Sequence, residues 1–311
     1  MLIMRKFIKS LLVTTLGKLV TTGLITALVV IYASHQVTHL HAAESKHFLW
    51  SVETPQNQVY FLGSIHVLSA DDYPLPQVMT DAFNQADNVV FELNINDLES
   101  LESQDIMLEI ATPPDGKTLL DLISDETYHL VQKTLEKLQY PIQIFANFKP
   151  WFVSMSLMSL QLQNLGFDPL YGVDRYFFEQ AIAQDKTIMS LETMSDQLKI
   201  FDSLSWEQQD EMLRQTLKEI DTLENSFQQM LQAWKSGDKQ TLENLIITGF
   251  KDYPELGNRL FRDRHIKWMT EIQKFLEDDK NYLVVVGAGH LVGEDSIIQM
   301  LRDQGYSVQQ Q

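Results

Sequence analysis

The sequence predicts an α/β domain, and three features of the chain point there. Short runs rich in Val, Leu and aromatic residues alternate with longer stretches of helical character. Two of these apolar runs stop at the same pattern: residues 59–62 lead into Gly63-Ser64-Ile65-His66, and residues 282–286 into Gly287-Ala288-Gly289-His290. Two further runs, residues 88–93 and 186–193, contain carboxylates at or near their ends, Glu92 and Glu192. In open α/β sheets, ligands gather outside the carboxyl ends of the strands. Four polar strand tips are therefore the raw material of a site.

Taken in order, residues 48–52 and 59–62 read as the two arms of a β-hairpin around Pro55-Gln56-Asn57-Gln58. A helix starting at Pro76 reaches Ala86, and residues 88–93 follow as a buried strand. A turn at Pro113-Pro114-Asp115-Gly116 precedes helical character from Thr118, with a stripe of Leu119, Leu122 and Ile123, then a run over 126–138. Residues 152–165 form a mostly buried helix whose methionines fill the core. A helix follows Tyr171-Gly172-Val173-Asp174 as far as Ala183, and residues 186–193 make a short strand. Residues 206–234, 238–246 and 256–276 read as three helices. The strand 282–286, a helix over 295–302 and a last strand over 306–308 close the chain.

Composition narrows the chemistry. The 311 residues suffice for one large α/β domain or two small ones. There is no cysteine, which excludes disulfides, thiolate metal sites and cysteine nucleophiles. A metal would be held by His, carboxylates, amides or water, a donor set for hard or borderline divalent ions. The net charge of −18 argues against a nucleic-acid partner. Arg5, Lys6, Lys9 and Lys18 lead into an apolar run over 19–33, and no acid occurs before Glu44. Residues 1–43 are expected to be a signal peptide or an N-terminal membrane anchor, and 44–311 the folded domain. The protein is then exported, either periplasmic or held at a bacterial membrane facing outward.

Each candidate residue also has a plainer reading. Glu92 interrupts a buried strand and needs a cation, a metal or hydrogen-bond donors, so a structural ion pair would explain it. Asp174 and Glu192 could cap the helices beside them. Arg259, Arg262, Arg264 and Lys267 could be a solvated face, although helical spacing puts Arg264 with Trp268 and Phe261 and turns Arg262 elsewhere. Gly63, Gly287 and Gly289 suit tight turns and close backbone approach. Gly287-Ala288-Gly289 lacks the third glycine in register for a dinucleotide loop, and neither His-Glu-x-x-His nor Gly-x-Ser-x-Gly occurs.

In order, Phe61 to His66, Glu92, Gly172-Val173-Asp174, Leu191-Glu192-Thr193 with Gln197-Leu198, Arg264 to Trp268, and Val286 to His290 resemble the TraB/PrgY/GumN family. That family includes the Tiki-type membrane-tethered metalloproteases. The matches run from about Phe48 to the C-terminus, and His265 stands where the family pattern has Asn. The resemblance implies a fold related to the erythromycin-esterase and ChaN-like proteins. Its expected form is a central mixed β-sheet flanked by helices, with a large helical insertion and both Gly-x-x-His ends at one cleft. It further implies that His66, Glu92 and His290 belong to the site with Arg264 nearby, and that the ion is manganese or cobalt, with zinc third.

The expected function is an exported, divalent-metal-dependent hydrolase, most naturally a peptidase, acting on a peptide or small-molecule substrate. His66, His290 and Glu92 would bind the metal or place its water, with Glu92 as general base and Arg264 stabilising an oxyanion. Glu192 and Asp174 would orient these groups. Two other readings stay open: a non-catalytic protein that sequesters peptide or haem in the same cleft, and a metal-free esterase using His and Glu.

Overall fold

The computed structural model describes residues 46–311 except Asp252; the expected N-terminal export segment lies outside the described residues. Strands β1 (Leu49–Glu53) and β2 (Gln58–Ser64) are followed by α1 (Gln77–Gln85) and β3 (Asn88–Phe91). Five helices come next: α2 (Ile95–Glu99), α3 (Leu101–Ala111), α4 (Asp125–Lys137), α5 (Pro150–Asn164) and α6 (Val173–Ala183). After β4 (Thr187–Ser190) the chain enters a long helical segment. It comprises α7 (Met194–Asp202), α8 (Trp206–Glu219), α9 (Leu223–Lys235), α10 (Lys239–Phe250), α11 (Pro254–Leu260) and α12 (Arg262–Glu277). The chain returns as β5 (Tyr282–Gly287) and ends with α13 (Ile297–Asp303) and β6 (Val308–Gln310).

The sheet is mixed, as expected, in the order β4-β3-β5-β2-β1-β6. The four strands β4, β3, β5 and β2 are parallel, and β1 pairs antiparallel with β2 and β6. Every residue of β5 is buried, which suits a central strand of Tyr-Leu-Val-Val-Val-Gly covered on both faces. β4 is short and largely exposed, as an edge strand can be. The topology places β5 between β2 and β3, with Ser64 opposite Gly287 and Phe91 opposite Val285. The Gly-x-x-His ends of β2 and β5 are therefore neighbours, and Glu92 follows directly on the other side.

Three sequence expectations change in detail. The run over 206–234 is two helices joined by a 3-10 turn at Ile220–Thr222, where Thr222 Oγ1 donates to the Glu219 carbonyl. The run over 256–276 breaks at Phe261, whose φ of −118° and ψ of −80° are not helical. That break frees the Leu260 carbonyl to accept from Arg264 Nη1 at 3.0 Å. Helices α2 and α3 have no counterpart in the sequence reading. In α3, Leu101 and Ile106 face solvent while Met107 and Ala111 are buried, so no apolar stripe marks the helix. Among the described residues no helix is long and apolar enough to cross a membrane.

Candidate functional site

The parallel strands deliver their polar tips to one edge of the sheet. His66 lies just past β2, Glu92 follows β3, Glu192 lies just past β4, and His290 sits in a 3-10 turn, Ala288–Leu291, that continues β5. Two helices complete the cluster: α12 contributes Arg264, and the first turn of α6 contributes Asp174. His66, Glu92, Arg264 and His290 are all buried.

Glycines make this convergence possible by absence of a side chain. A Cβ on Gly172 would lie 2.5 Å from the His66 carbonyl oxygen, so only glycine lets the start of α6 approach the end of β2. The Val173 N–H then donates to the Ile65 carbonyl at 3.0 Å. A Cβ on Gly287 would lie 3.2 Å from His66 Nε2 and 3.3 Å from Glu92 Oε1. Gly287 and Gly289 lie at the start of and within the 3-10 turn that carries His290. None of Gly63, Gly287 and Gly289 has a positive φ. Gly63 lies within β2, where a Cβ would press on Ala288 Cα at 3.0 Å, and Gly289 faces Ile246 and Phe261. All three are sites of close approach.

Arg264 is the hub. Its Nη2 donates to Glu92 Oε2 and Glu192 Oε1, each at 2.5 Å, and its Nε donates to Glu192 at 3.1 Å. Its Nη1 donates to the Leu260 carbonyl and, at 3.1 Å, to His290 Nε2. The guanidinium lies 4.5 Å from the Trp268 ring centroid, and Trp268 Nε1 donates to Glu192 Oε2 at 3.3 Å. Gln197 Nε2 donates to both carboxylates. Burial pushes the Glu192 carboxyl up and Glu92 adds to this, while Arg264 opposes both. Glu192 is thus not a helix cap; Thr193 caps α7. Arg262, by contrast, faces solvent near Asp295.

Glu92 is more constrained than a free general base. Its Oε2 accepts from Arg264 and Gln197, and its Oε1 accepts from the Gly287 N–H at 2.7 Å. Oε1 keeps one lone pair on the side of the histidines, whose Nε2 atoms lie 3.9 Å (His66) and 3.5 Å (His290) away.

The two histidines are tuned in opposite directions. Burial pulls His66 down, but the Asp174 carboxylate, helped by Glu92 and opposed by Arg264, outweighs it and leaves the imidazole raised. Asp174 does not cap α6; its Oδ2 lies 3.1 Å from His66 Nδ1. The contact acts first through charge. His290 is held well below the ordinary histidine value by burial and then by Arg264, His265 and His66.

The sequence reading did not give His265 a role. Its Nε2 lies 2.8 Å from His290 Nδ1, and its Nδ1 lies 2.7 Å from the Asp295 carbonyl oxygen. Burial, then Arg264, pulls it down to about 4. Its spacing of four residues from Phe261 and three from Trp268, both of which pack on His290, is the signal that would have found it.

Between these groups lies a cavity of about 20 Å³, room for one water-sized group, lined by Ser64, His66, Gly287, His290 and the apolar Ile246 and Phe261. Ser64 Oγ is buried with no partner among the described residues. Ile246, Phe261 and Gly289 also line a neighbouring groove of about 530 Å³ between α10, α11 and residues 292–296.

Two imidazoles and a carboxylate suit a borderline divalent ion in donor type, and the Gly287 cradle brings His66 Nε2 and Glu92 Oε1 to one small space. The arrangement does not complete a metal centre. Among the described residues no group of three or more His, Asp or Glu is placed to hold an ion. The structure brings the expected ligands His66, Glu92 and His290 together, and His290 Nε2 as placed accepts from Arg264 Nη1.

The chain is 26% identical to YbaP of Escherichia coli over 84% of this chain and 96% of that protein. It is 22% identical to the human Metalloprotease TIKI1, over 86% of this chain and 62% of that protein. It is also 22% identical to the Metalloprotease TIKI2 of Xenopus tropicalis, over 84% of this chain and 59% of that protein. No solved structure matches the chain. The model of one family covers residues 48–310, and the chain belongs to that family, the TraB/PrgY/gumN family.

Proposed function

We propose that this protein is an exported hydrolase of the metallopeptidase kind, cleaving an amide or related bond at the His66–Glu92–His290 cluster. The observation that carries the reading is the convergence of two imidazole Nε2 atoms on Glu92 Oε1 beside a buried guanidinium. The relatives named as metalloproteases support the same class. Export rests on the basic-then-apolar N-terminus, and the substrate is a peptide or small molecule.

With no ion on it, His66, its Nδ1 beside Asp174, can take a proton at Nε2 on the cavity side. Ser64 Oγ is available to bond substrate or water. Arg264, bonded to His290 and Glu92, supplies a fixed positive charge behind these two groups, suited to developing negative charge. Glu192, Gln197 and Trp268 hold that charge in place. A divalent ion, manganese or cobalt first and zinc third, would be held by His66, His290 and Glu92 once Arg264 Nη1 gives up His290. It would supply carbonyl polarisation and a more acidic water.

The test is metal content and peptide cleavage in the purified protein, with His66→Ala and His290→Ala alongside. The expected result is bound divalent metal and turnover in the wild type and loss of both in each variant. Unchanged metal and cleavage in both variants would sink the reading. The His66–Asp174 pair favours one second reading, metal-free hydrolysis with His66 as the base. Turnover that survives exhaustive chelation would select it.

A further inference from the structure

His265, His290 and Arg264 form a chain whose hydrogens can be assigned from both ends. At one end, His265 Nδ1 lies 2.7 Å from the Asp295 carbonyl oxygen. A carbonyl only accepts, so Nδ1 of His265 carries a hydrogen. At the other end, Arg264 Nη1 lies 3.1 Å from His290 Nε2. A guanidinium only donates, so Nε2 of His290 presents a lone pair. The 2.8 Å contact between His265 Nε2 and His290 Nδ1 then has one consistent filling. His290 Nδ1–H donates, and His265 Nε2 accepts. Reversing that hydrogen would leave His290 with none on either nitrogen, an imidazolate in a buried site. Both rings are almost fully buried, so water cannot replace the missing partner.

We infer that His265 is a positioning residue that locks His290 in its Nδ1–H tautomer and turns the Nε2 lone pair toward the space shared with His66 and Glu92. Phe261 and Trp268, with ring centroids 5.3 and 4.8 Å from that of His290, hold the ring plane while His265, together with Arg264, decides which nitrogen is basic. This assignment rests on the proposed site only for its catalytic consequence. The same lone pair serves whether Arg264, a substrate proton or an ion takes it.

The test is two-bond proton–nitrogen correlation NMR on the whole chain labelled with ¹⁵N-histidine and freed of metal by chelation, His290 being assigned from a His290→Gln variant. Wild-type His290 is expected as the Nδ1–H tautomer, with Nε2 unprotonated. Finding it as the Nε2–H tautomer overturns the inference, whatever the activity. His265→Phe keeps the ring volume but cannot accept, so the His290 Nδ1–H loses its partner, only Arg264 Nη1 still opposes the Nε2–H form, and His290 should become a mixture of the two tautomers. Its kcat should then drop about 10–100-fold with little change in KM. His265→Gln, which can accept and donate at once, should restore the tautomer and most of the rate. An unchanged His290 spectrum in His265→Phe also overturns the inference. If that variant fails to fold, the wild-type spectrum alone decides. If no peptide is cleaved but His290 is Nδ1–H, the proposed function fails and the tautomer lock stands.

Discussion

Nη2 of Arg264 donates to Oε2 of Glu92 across 2.5 Å, joining residues 172 positions apart at the centre of the site. The same nitrogen reaches Glu192, so one buried cation serves two buried carboxylates. Removing one partner of such a group leaves uncompensated buried charge. Arg264→Met should cost about 3–5 kcal/mol in urea unfolding. Arg264→Lys keeps the charge but cannot span Glu92, Glu192 and His290 together, and should recover only part of that loss. A wild-type unfolding midpoint in Arg264→Met would contradict the role given to this hub.

Gly287→Ala should separate activity from folding. The backbone there, φ −52° and ψ 138°, suits alanine, and the N–H that holds Glu92 is kept. The new methyl would sit 3.2 Å from His66 Nε2 and 3.3 Å from Glu92 Oε1, filling the space a reacting group needs. Turnover should fall by two orders of magnitude or more, about 3 kcal/mol of transition-state stabilisation, while the melting temperature moves by only a few degrees. Full activity in this variant would show that the chemistry takes place elsewhere.

Asp174→Asn tests the raised His66. Burial lowers the imidazole and Asp174 raises it past its ordinary value, so removing that charge drops the His66 pKa. If neutral His66 is the base, the rate rises with pH through that pKa, and the ascending limb in the variant moves to lower pH. The stability consequence has a definite sign. A raised histidine stabilises fully below about pH 6.5, and that contribution is lost as pH rises through the folded value. The stability gap between wild type and Asp174→Asn should therefore narrow as pH rises, measured by denaturant titration at several pH values.

His265 and His290 act in the opposite direction. Both are held neutral by burial, His265 at about 4. Their contribution is present above the unfolded value near 6.5 and is lost as pH falls through that window. His265 alone is expected to cost roughly 3 kcal/mol by pH 4, at about 1.4 kcal/mol per pH unit. His66, with its raised pKa, offsets part of the pair. Replacing His265 by Asn should flatten the acid limb of stability between pH 6.5 and 4, and an unaltered slope would mean that His265 already titrates normally.

Much of this site was legible in the residues because period and punctuation survive in one dimension. A strand that stops at Gly-x-x-His announces a tip, and Val-Val-Val before Gly287 announces a buried strand. Glu92 within an apolar run had to find a partner, and Arg264 with its neighbour Trp268 was readable from helical spacing. The place of His265 was readable from its spacing to Phe261 and Trp268, but its task was not, because that depends on a carbonyl at Asp295 and a ring at His290, both outside the helix that carries it. The break at Phe261 was hidden for the same reason, since the apolar pattern runs on through it.

The sequence by itself determined the strands, most of the helices and which strands end in chemistry, since apolar patterning and turn residues are local properties. Strand order was decided only in three dimensions. Placing β5 between β2 and β3 made His66, Glu92 and His290 neighbours, and no periodicity along the chain encodes that adjacency. Tertiary structure also decided what each group is free to do. Arg264 draws on the lone pair of His290 and on both carboxylates at once, because a buried cation has no water to turn to and takes every acceptor that packing brings within reach.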